Sequence, residues 1–246
     1  MTERKFFLKT NRHAVFVVKI NFSRVLIMKI EIYLLNLKPM FNLPYENYLK
    51  HFSEARKQKI LSYRHDADKI RTLWAELLTR YVVAKKISRP IEDVSIERDA
   101  NGKPKVSENT FEISISHSKT FCACSVGEIS SGIDVEEDFS AAIDVAKDFF
   151  APREYFLLEK LRGNDFARKF LSLWTLKESY AKFSGVGISE ELLRTDIERF
   201  FDENTVGGRN FFLSEGAVVG ICTEKIFLPE TFTVIPPNLL RDAYES

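Results

Sequence analysis

Glycine is scarce in this chain of 246 residues, and its placement excludes the common nucleotide-binding loops. The chain has ten glycines, and the first is Gly102. A P-loop or a dinucleotide-binding turn needs a glycine cluster directly after an early strand. The close pairs Gly185/Gly187 and Gly207/Gly208 match neither pattern. Any recognition of phosphate must therefore come from local charge.

Cysteine and long apolar runs are also lacking. Three cysteines cannot form a disulfide framework in a chain of this length, and their odd number favours a reducing compartment, so we expect a cytoplasmic location. The longest early apolar run, Ala14 to Val18, is closed by Lys19, and Arg24 and Lys29 interrupt the residues that follow. We therefore expect no secretory signal, no membrane-spanning helix and no membrane partner.

Neither charge is in excess, because 36 Lys and Arg residues oppose 35 Asp and Glu residues. This balance argues against a dedicated polyanion binder, so no nucleic-acid partner is expected. The distribution is uneven, however: residues 50–71 hold seven basic and three acidic residues, whereas residues 128–144 hold six acidic and no basic ones. With 45% apolar residues, the chain can build a substantial core.

The periodicity of the apolar residues predicts an α+β fold. Helices are predicted at 46–63, from about Asp66 to Lys86, at 141–149 and at 170–183, with Pro152 opening a further helix. Strands are predicted at 29–33, 94–97, 111–116, 120–126 and 132–136, and short strands again after Gly187 until Ile235. This alternation indicates two α+β halves that meet near Gly127 to Gly132.

Residues 1–27 have no clean period and stand apart as an N-terminal extension. They are either an extra strand, a basic arm or sequence upstream of the biological start. Regular alternation begins after Met28, which we take as the functional beginning. The predicted halves are then residues 28–130 and residues 131–246.

Two acidic residues on one predicted strand are candidate metal ligands. Asp134 and Glu136 are two positions apart, so on a strand both carboxylates project from the same face. They repel each other unless a cation lies between them, and oxygen ligands of this kind suit Mg²⁺. The alternative is a solvated strand edge.

The predicted helix at 170–183 carries a second charged pair. Glu178 and Lys182 are four residues apart and share one helical face. They form either a surface ion pair or a functional pair. In the second case Glu178 is a third metal carboxylate or a general base, and Lys182 neutralises charge on a departing phosphate.

Polar residues at two turns are weaker candidates. Ser116 and His117 end a strand, where the histidine either makes a structural hydrogen bond or donates to an anionic ligand. Lys103 lies in a Gly-Lys-Pro turn and is either solvated or held towards phosphate. Cys122 and Cys124 point to one side of a strand without zinc-ligand spacing, so we interpret them as core-facing thiols.

Taken in order, these segments resemble one family, the larger, surfactin-synthetase-activating class of 4′-phosphopantetheinyl transferases. Four blocks carry the resemblance: Gly102-Lys103-Pro104, Ser116-His117-Ser118, Gly132-Ile133-Asp134-Val135-Glu136 and Trp174-Thr175-Leu176-Lys177-Glu178-Ser179-Tyr180-Ala181-Lys182. The last two blocks, about forty residues apart, are the most specific. The similarity extends from about Met28 to about Ile235.

The resemblance implies transfer of the phosphopantetheine arm of coenzyme A to a serine of an apo acyl or peptidyl carrier protein, with release of 3′,5′-ADP. It implies Mg²⁺ held by Asp134, Glu136 and Glu178. The implied catalytic residues are Glu178, Lys182 and His117. The implied coenzyme A contacts are Arg56, Lys59 and Thr72 at the 3′-phosphate, and Lys103, Ser116, His117 and Lys182 at the nucleotide and pyrophosphate.

The resemblance also implies two similar α/β halves in a pseudo-twofold arrangement, coenzyme A in the cleft between them and a working monomer. Two positions depart from the family pattern. Val186 stands between two glycines where the family often has a basic residue, and Arg56 replaces a familiar lysine, which keeps the charge and adds forked donors.

Two other hypotheses compete with the transferase. One is a non-catalytic protein that binds coenzyme A and carrier domains. The other is a metal-dependent phosphodiesterase that needs no protein acceptor.

Overall fold

The computed structural model describes residues 29–107, 111–137 and 142–245. The predicted N-terminal extension and the predicted start at Met28 lie outside these ranges.

The secondary structure alternates as predicted. Up to residue 127 the chain forms strands β1 (Ile30–Asn36), β2 (Ile96–Arg98), β3 (Pro104–Val106), β4 (Glu112–His117) and β5 (Phe121–Gly127), and helices α1 (Glu54–Leu61) and α2 (Asp66–Ile87). It continues with β6 (Gly132–Glu136), α3 (Ala142–Phe149), α4 (Pro152–Leu158), α5 (Gly163–Ser184), α6 (Glu190–Leu193), α7 (Ile197–Glu203), β7 (Val206–Phe212), β8 (Val218–Glu224), β9 (Thr233–Val234) and α8 (Pro237–Glu245). Short 3-10 helices lie at Lys38–Asn42, Tyr45–His51, Ile91–Asp93 and Lys225–Phe227.

Two sheets pack face to face, and each carries a long helix on its outer face. The first sheet has the order β4-β5-β1-β9, the second has the order β6-β8-β7, and β2 and β3 form a separate hairpin. Helix α2 contacts β4 and β5, while helix α5 contacts β6, β7 and β8. The inner faces meet in one apolar cluster that includes Ile32, Ala123, Ile133 and Val219. The predicted α+β class is confirmed.

Strand β5 is buried on both faces because it lies between a helix and the opposite sheet. Cys122, Cys124 and Val126 pack in the α2 core, whereas Phe121 and Ala123 face the second sheet. This two-sided burial follows from the period of two in a strand. Both cysteines are free and buried, so the prediction of core-facing thiols is confirmed.

Helix α5 lies directly against the backbone of the second sheet. An added Cβ at Gly132 would be 2.0 Å from the carbonyl oxygen of Ser179, and one at Gly220 would be 2.6 Å from that of Thr175. Only glycine permits this approach, because real Cβ atoms do not come so close to backbone. The helix is thereby held over β6, the strand that carries Asp134 and Glu136.

Four segments differ from the sequence-based predictions, and the first is strand β3, which was not predicted. The helix predicted at 46–63 is interrupted, because buried Phe52 and Ser53 adopt extended backbone and the Ser53 hydroxyl caps α1 at the amide of Arg56. The stretch after Gly187 begins with α6 and α7 rather than strands. Helix α8 was not predicted at all.

The last described segment returns to the first sheet. Strand β9 pairs in parallel with β1, and α8 packs on α2. The Tyr244 hydroxyl of α8 donates to the Leu77 carbonyl oxygen at 2.7 Å. The pseudo-twofold relation and the boundary at residue 130 stay predictions. Among the helices of the described ranges, none combines the length and the apolar character needed to cross a membrane.

Replacing Gly132 by Ala should destabilise the fold because the new methyl group overlaps the α5 backbone. We expect the free energy of unfolding, measured by urea titration, to fall by about 3 kcal/mol, at the upper end for overpacking. Gly216→Ala is the matched control. Its φ is +87°, but no atom lies within 4 Å of the added Cβ, so it should cost only about 1 kcal/mol of backbone strain. Equal losses in the two variants would contradict the close-packing explanation.

Candidate active site

One cavity gathers most of the predicted site residues. It has a volume of about 590 Å³. Nine of the ten predicted residues line it: Arg56, Lys59, Thr72, Ser116, His117, Asp134, Glu136, Glu178 and Lys182. They come from α1, α2, β4, β6 and α5, so five separate elements meet at one place.

Three side chains close a hydrogen-bonded triangle at the centre of this cavity. The Ser116 hydroxyl donates to Asp134 Oδ1 at 2.7 Å, and Lys182 Nζ donates to the same oxygen at 2.7 Å. Lys182 Nζ also lies 2.9 Å from Ser116 Oγ. Asp134 is only 6% exposed, so its charge needs this partner. The triangle joins β4, β6 and α5, and it rules out the solvated-edge alternative for Asp134.

Glu178 lies one turn before Lys182 on α5 but is not its ion-pair partner in this structure, since the ammonium contacts Asp134. Burial raises the pKa of the Glu178 carboxyl above its usual value, and the negative charges of Asp134 and Glu136 raise it further. The nearby Lys182 opposes this rise. The two residues therefore belong to a coupled group of charges rather than to an isolated surface pair.

The carboxylates of the cavity fit Mg²⁺ by their chemistry. Asp134, Glu136 and Glu178 line one space and repel each other, and a divalent cation would relieve that repulsion. Within residues 29–107, 111–137 and 142–245, however, no group of three or more His, Cys, Asp or Glu side chains is gathered closely enough to hold a metal ion. The metal site thus stays a prediction supported by donor type.

A second group of lining residues is basic, and we call it the basic end. Arg56 and Lys59 reach it from α1, and Arg98 reaches it from β2. Thr72 lies there with its side-chain oxygen buried, and this hydroxyl has no hydrogen-bond partner among the described residues. Because a buried hydroxyl without a partner costs free energy, its position favours a ligand that accepts or donates a hydrogen bond.

His117 and Lys103 lie at the margins. His117 lines the cavity and its side chain is exposed, but neighbouring protein atoms remove part of its hydration, and this loss together with the charges of Lys182 and Arg71 lowers its pKa. Lys103 lies outside the main cavity. Its ammonium is 3.3 Å from the Ser130 hydroxyl and lines an adjacent space of about 270 Å³, which shares Glu178 and Lys182 with the first.

Arg98 is a site residue that the sequence analysis missed. The signal was present in the β2–β3 hairpin, whose turn contains the Gly-Lys-Pro segment. The register of the hairpin pairs Arg98 with Pro104. A β-hairpin predicted from the Gly-Lys-Pro turn would therefore have placed Arg98 beside Lys103. A lone arginine at a strand end carries no other mark in the sequence.

A buried ion pair, also missed, anchors α5 behind the site. Lys177 Nζ lies 2.8 Å from Glu154 Oε2, and both side chains are almost fully buried. Lys177 also donates to the carbonyl oxygens of Leu193 and Thr195, while Glu154 accepts from the amide of Ile197. Burial raises the pKa of Glu154 and lowers that of Lys177, and each partner's charge counters the shift of the other.

Two family models match adjacent parts of the chain. Residues 41–128 match the model described as 4′-phosphopantetheinyl transferase, N-terminal, and residues 130–225 match that of the 4′-phosphopantetheinyl transferase superfamily. The triangle of Ser116, Asp134 and Lys182 spans both matched regions.

Individual relatives agree with the family models. The chain is 32% identical over 136 residues to the 4′-phosphopantetheinyl transferase gsp of Aneurinibacillus migulanus. The matched residues make up 55% of this chain and 57% of the relative. It is 33% identical to a 4′-phosphopantetheinyl transferase of Bacillus subtilis, over 56% of this chain and 62% of the relative. An L-aminoadipate-semialdehyde dehydrogenase-phosphopantetheinyl transferase of Saccharomyces cerevisiae is 24% identical over 76% of this chain and 72% of its own length. The chain thus matches less than two thirds of the first two relatives.

Replacing Lys177 by Met should destabilise the protein strongly, because it leaves the Glu154 carboxylate buried without its partner. We expect a loss of about 3–5 kcal/mol in the free energy of unfolding, measured by denaturant titration. Lys169→Met is the control on the same helix. It removes an ion pair with Glu198 whose members are 27% and 39% exposed, and exposed pairs contribute at most about 1 kcal/mol. A small loss for Lys177→Met would show that the buried pair is not an anchor.

Proposed function

The chain belongs to the 4′-phosphopantetheinyl transferase superfamily, and from this premise we propose that it transfers the 4′-phosphopantetheine arm of coenzyme A to a serine of an apo acyl or peptidyl carrier protein. The products are the holo carrier and 3′,5′-ADP. The observation that carries the proposal is one cavity lined both by basic residues and by carboxylates with Lys182.

The basic end suits the phosphates of coenzyme A. We assign Arg56, Lys59 and Thr72 to the 3′-phosphate and add Arg98, which lines the same end. Guanidinium groups match phosphate oxygens with forked donors. A phosphate acceptor would also supply the hydrogen bond that the Thr72 hydroxyl lacks. Ser116, His117 and Lys103 are assigned to the nucleotide and the pyrophosphate.

The reaction is a substitution at the phosphorus that carries pantetheine. The carrier serine oxygen forms a bond to this phosphorus, and the bond from phosphorus to the oxygen of the 5′-phosphate of 3′,5′-ADP breaks. We assign Glu178 as the acceptor of the serine proton, directly or through water, and its raised pKa supports this assignment. Lys182 stabilises the negative charge that develops on the leaving oxygen.

Asp134, Glu136 and Glu178 are the residues that would hold Mg²⁺. The bound ion would neutralise charge on the pyrophosphate and polarise the phosphorus for attack. When coenzyme A binds, Lys182 would exchange Asp134 for the leaving phosphate, because its flexible stem allows this change of partner. A cytoplasmic location, a monomeric state and the absence of nucleic-acid and membrane partners complete the proposal.

The transfer can be tested directly by mass spectrometry. Incubation with coenzyme A, Mg²⁺ and a panel of apo carriers should add one phosphopantetheine mass to a carrier. Asp134→Ala and Glu178→Ala should abolish the mass gain, and Lys182→Ala should slow transfer by about a hundredfold or more, as expected for loss of one charge-stabilising donor. Lys169→Ala, which removes an ion-paired lysine of α5 that does not line the cavity, should leave the rate unchanged.

The competing functions give different results in the same assay. A protein that binds coenzyme A but modifies none of the carriers fits the non-catalytic alternative. Release of 3′,5′-ADP without any carrier fits the phosphodiesterase. Full activity of both Asp134→Ala and Glu178→Ala would refute the metal assignment.

A further inference from the structure

Glu76 is a buried carboxylate inside the basic end of the cavity. It lies on α2 one turn after Thr72, it lines the cavity and it is only 3% exposed. A negative charge at this place is unexpected, because the surrounding side chains otherwise suit an anionic ligand. Nothing in the proposed reaction uses it.

One oxygen of Glu76 faces two arginines from different elements. Oε2 lies 2.7 Å from Arg56 Nε and 3.7 Å from an Nη atom of Arg98. Arg56 comes from α1 and Arg98 from β2, so nothing in the backbone alone brings the two guanidinium groups to one point. The carboxylate is the group they share.

The two guanidinium groups would repel each other without this carboxylate. Burial lowers the pKa of Arg98, and the positive charge of Arg56 lowers it further, while Glu76 opposes both effects. Arg56 contacts Glu76 through Nε, so the two terminal nitrogens of the Arg56 guanidinium group are not needed for this contact. A guanidinium held by one edge can present its other donors to a ligand.

The charges at this end match a phosphomonoester. Arg56, Lys59 and Arg98 with Glu76 sum to about two positive charges, and a phosphomonoester carries about 1.5 to 2 negative charges at neutral pH. In coenzyme A the 3′-phosphate is the only monoester. A carboxylate that merely weakened anion binding would not need to contact both arginines.

We propose that Glu76 is a positioning residue that holds Arg56 and Arg98 as one receptor for the 3′-phosphate, and that it thereby sets the preference for coenzyme A over 3′-dephospho-coenzyme A. The inference rests on the proposed function. It adds to it a residue that touches no substrate and acts through the two arginines.

The preference is measured as the ratio of dissociation constants for 3′-dephospho-coenzyme A and coenzyme A, by calorimetry on the full chain. Glu76→Ala should lower this ratio about tenfold, which corresponds to about 1.4 kcal/mol. Glu76→Gln keeps an acceptor for Arg56 and should lose less. In the transfer assay, both variants should raise the KM for coenzyme A more than they lower kcat.

Glu54→Ala is the matched control. It removes a carboxylate from α1, the helix of Arg56, that is 80% exposed and pairs with Lys57 instead, so the ratio should not change. Thermal unfolding of each variant separates a loss of fold from a loss of preference. Glu76→Gln, which preserves side-chain volume, decides the matter where Glu76→Ala does not fold.

The possible outcomes distinguish a failure of the positioning role of Glu76 from a failure of the proposed transferase function. A ratio that is unchanged or increased in the folded Glu76 variants overturns the positioning role, whereas the unaltered protein still transfers the arm. An unaltered protein that binds neither compound, or that binds both equally, overturns the proposed 3′-phosphate site itself.

Discussion

The contact of helix α5 with two glycines of the second sheet is the constraint on which the site depends. Gly132 and Gly220 remove the side chains that would otherwise separate helix from sheet. At this short distance, Lys182 reaches Asp134 on β6, and Glu178 joins the same group of charges. If side chains at these two positions held α5 further from the sheet, Asp134 would be buried without a cation. An unpaired buried charge costs several kcal/mol.

The charges that line the cavity form two clusters. Asp134, Glu136 and Glu178 lie on β6 and α5, while Arg56 and Arg98 lie on α1 and β2. Each cluster contains one group of the opposite sign, Lys182 among these carboxylates and Glu76 among the arginines. These two residues lower the repulsion within each cluster.

Local sequence patterns predict the parts of the site that are regular, and they fail where tertiary contacts decide. Strand β6 was predicted at the bounds it has, and α5 was predicted in its second half, because period-two and helical patterns are properties of short segments. Arg98 and Glu76 belong to no such local pattern. They come together only because β2, α2 and α1 meet in the folded chain. The break at Phe52 and Ser53 was missed because burial of Phe52 and the cap outweigh helical spacing.

The two sheets and their helices are not independent, and the C-terminal segment gives the reason. Arg56 and Arg98 precede the first sheet's strand β4, while Glu178 and Lys182 lie on α5, so a shift between the two sheets would separate the basic residues from the carboxylates. Strand β9 and helix α8 follow the second sheet in the chain but pack on β1 and α2. The Tyr48 hydroxyl donates to Glu245 at 2.5 Å and Tyr244 bonds the α2 backbone. Together with the apolar cluster between the sheets, this return holds the elements that carry the basic residues against those that carry Glu178 and Lys182.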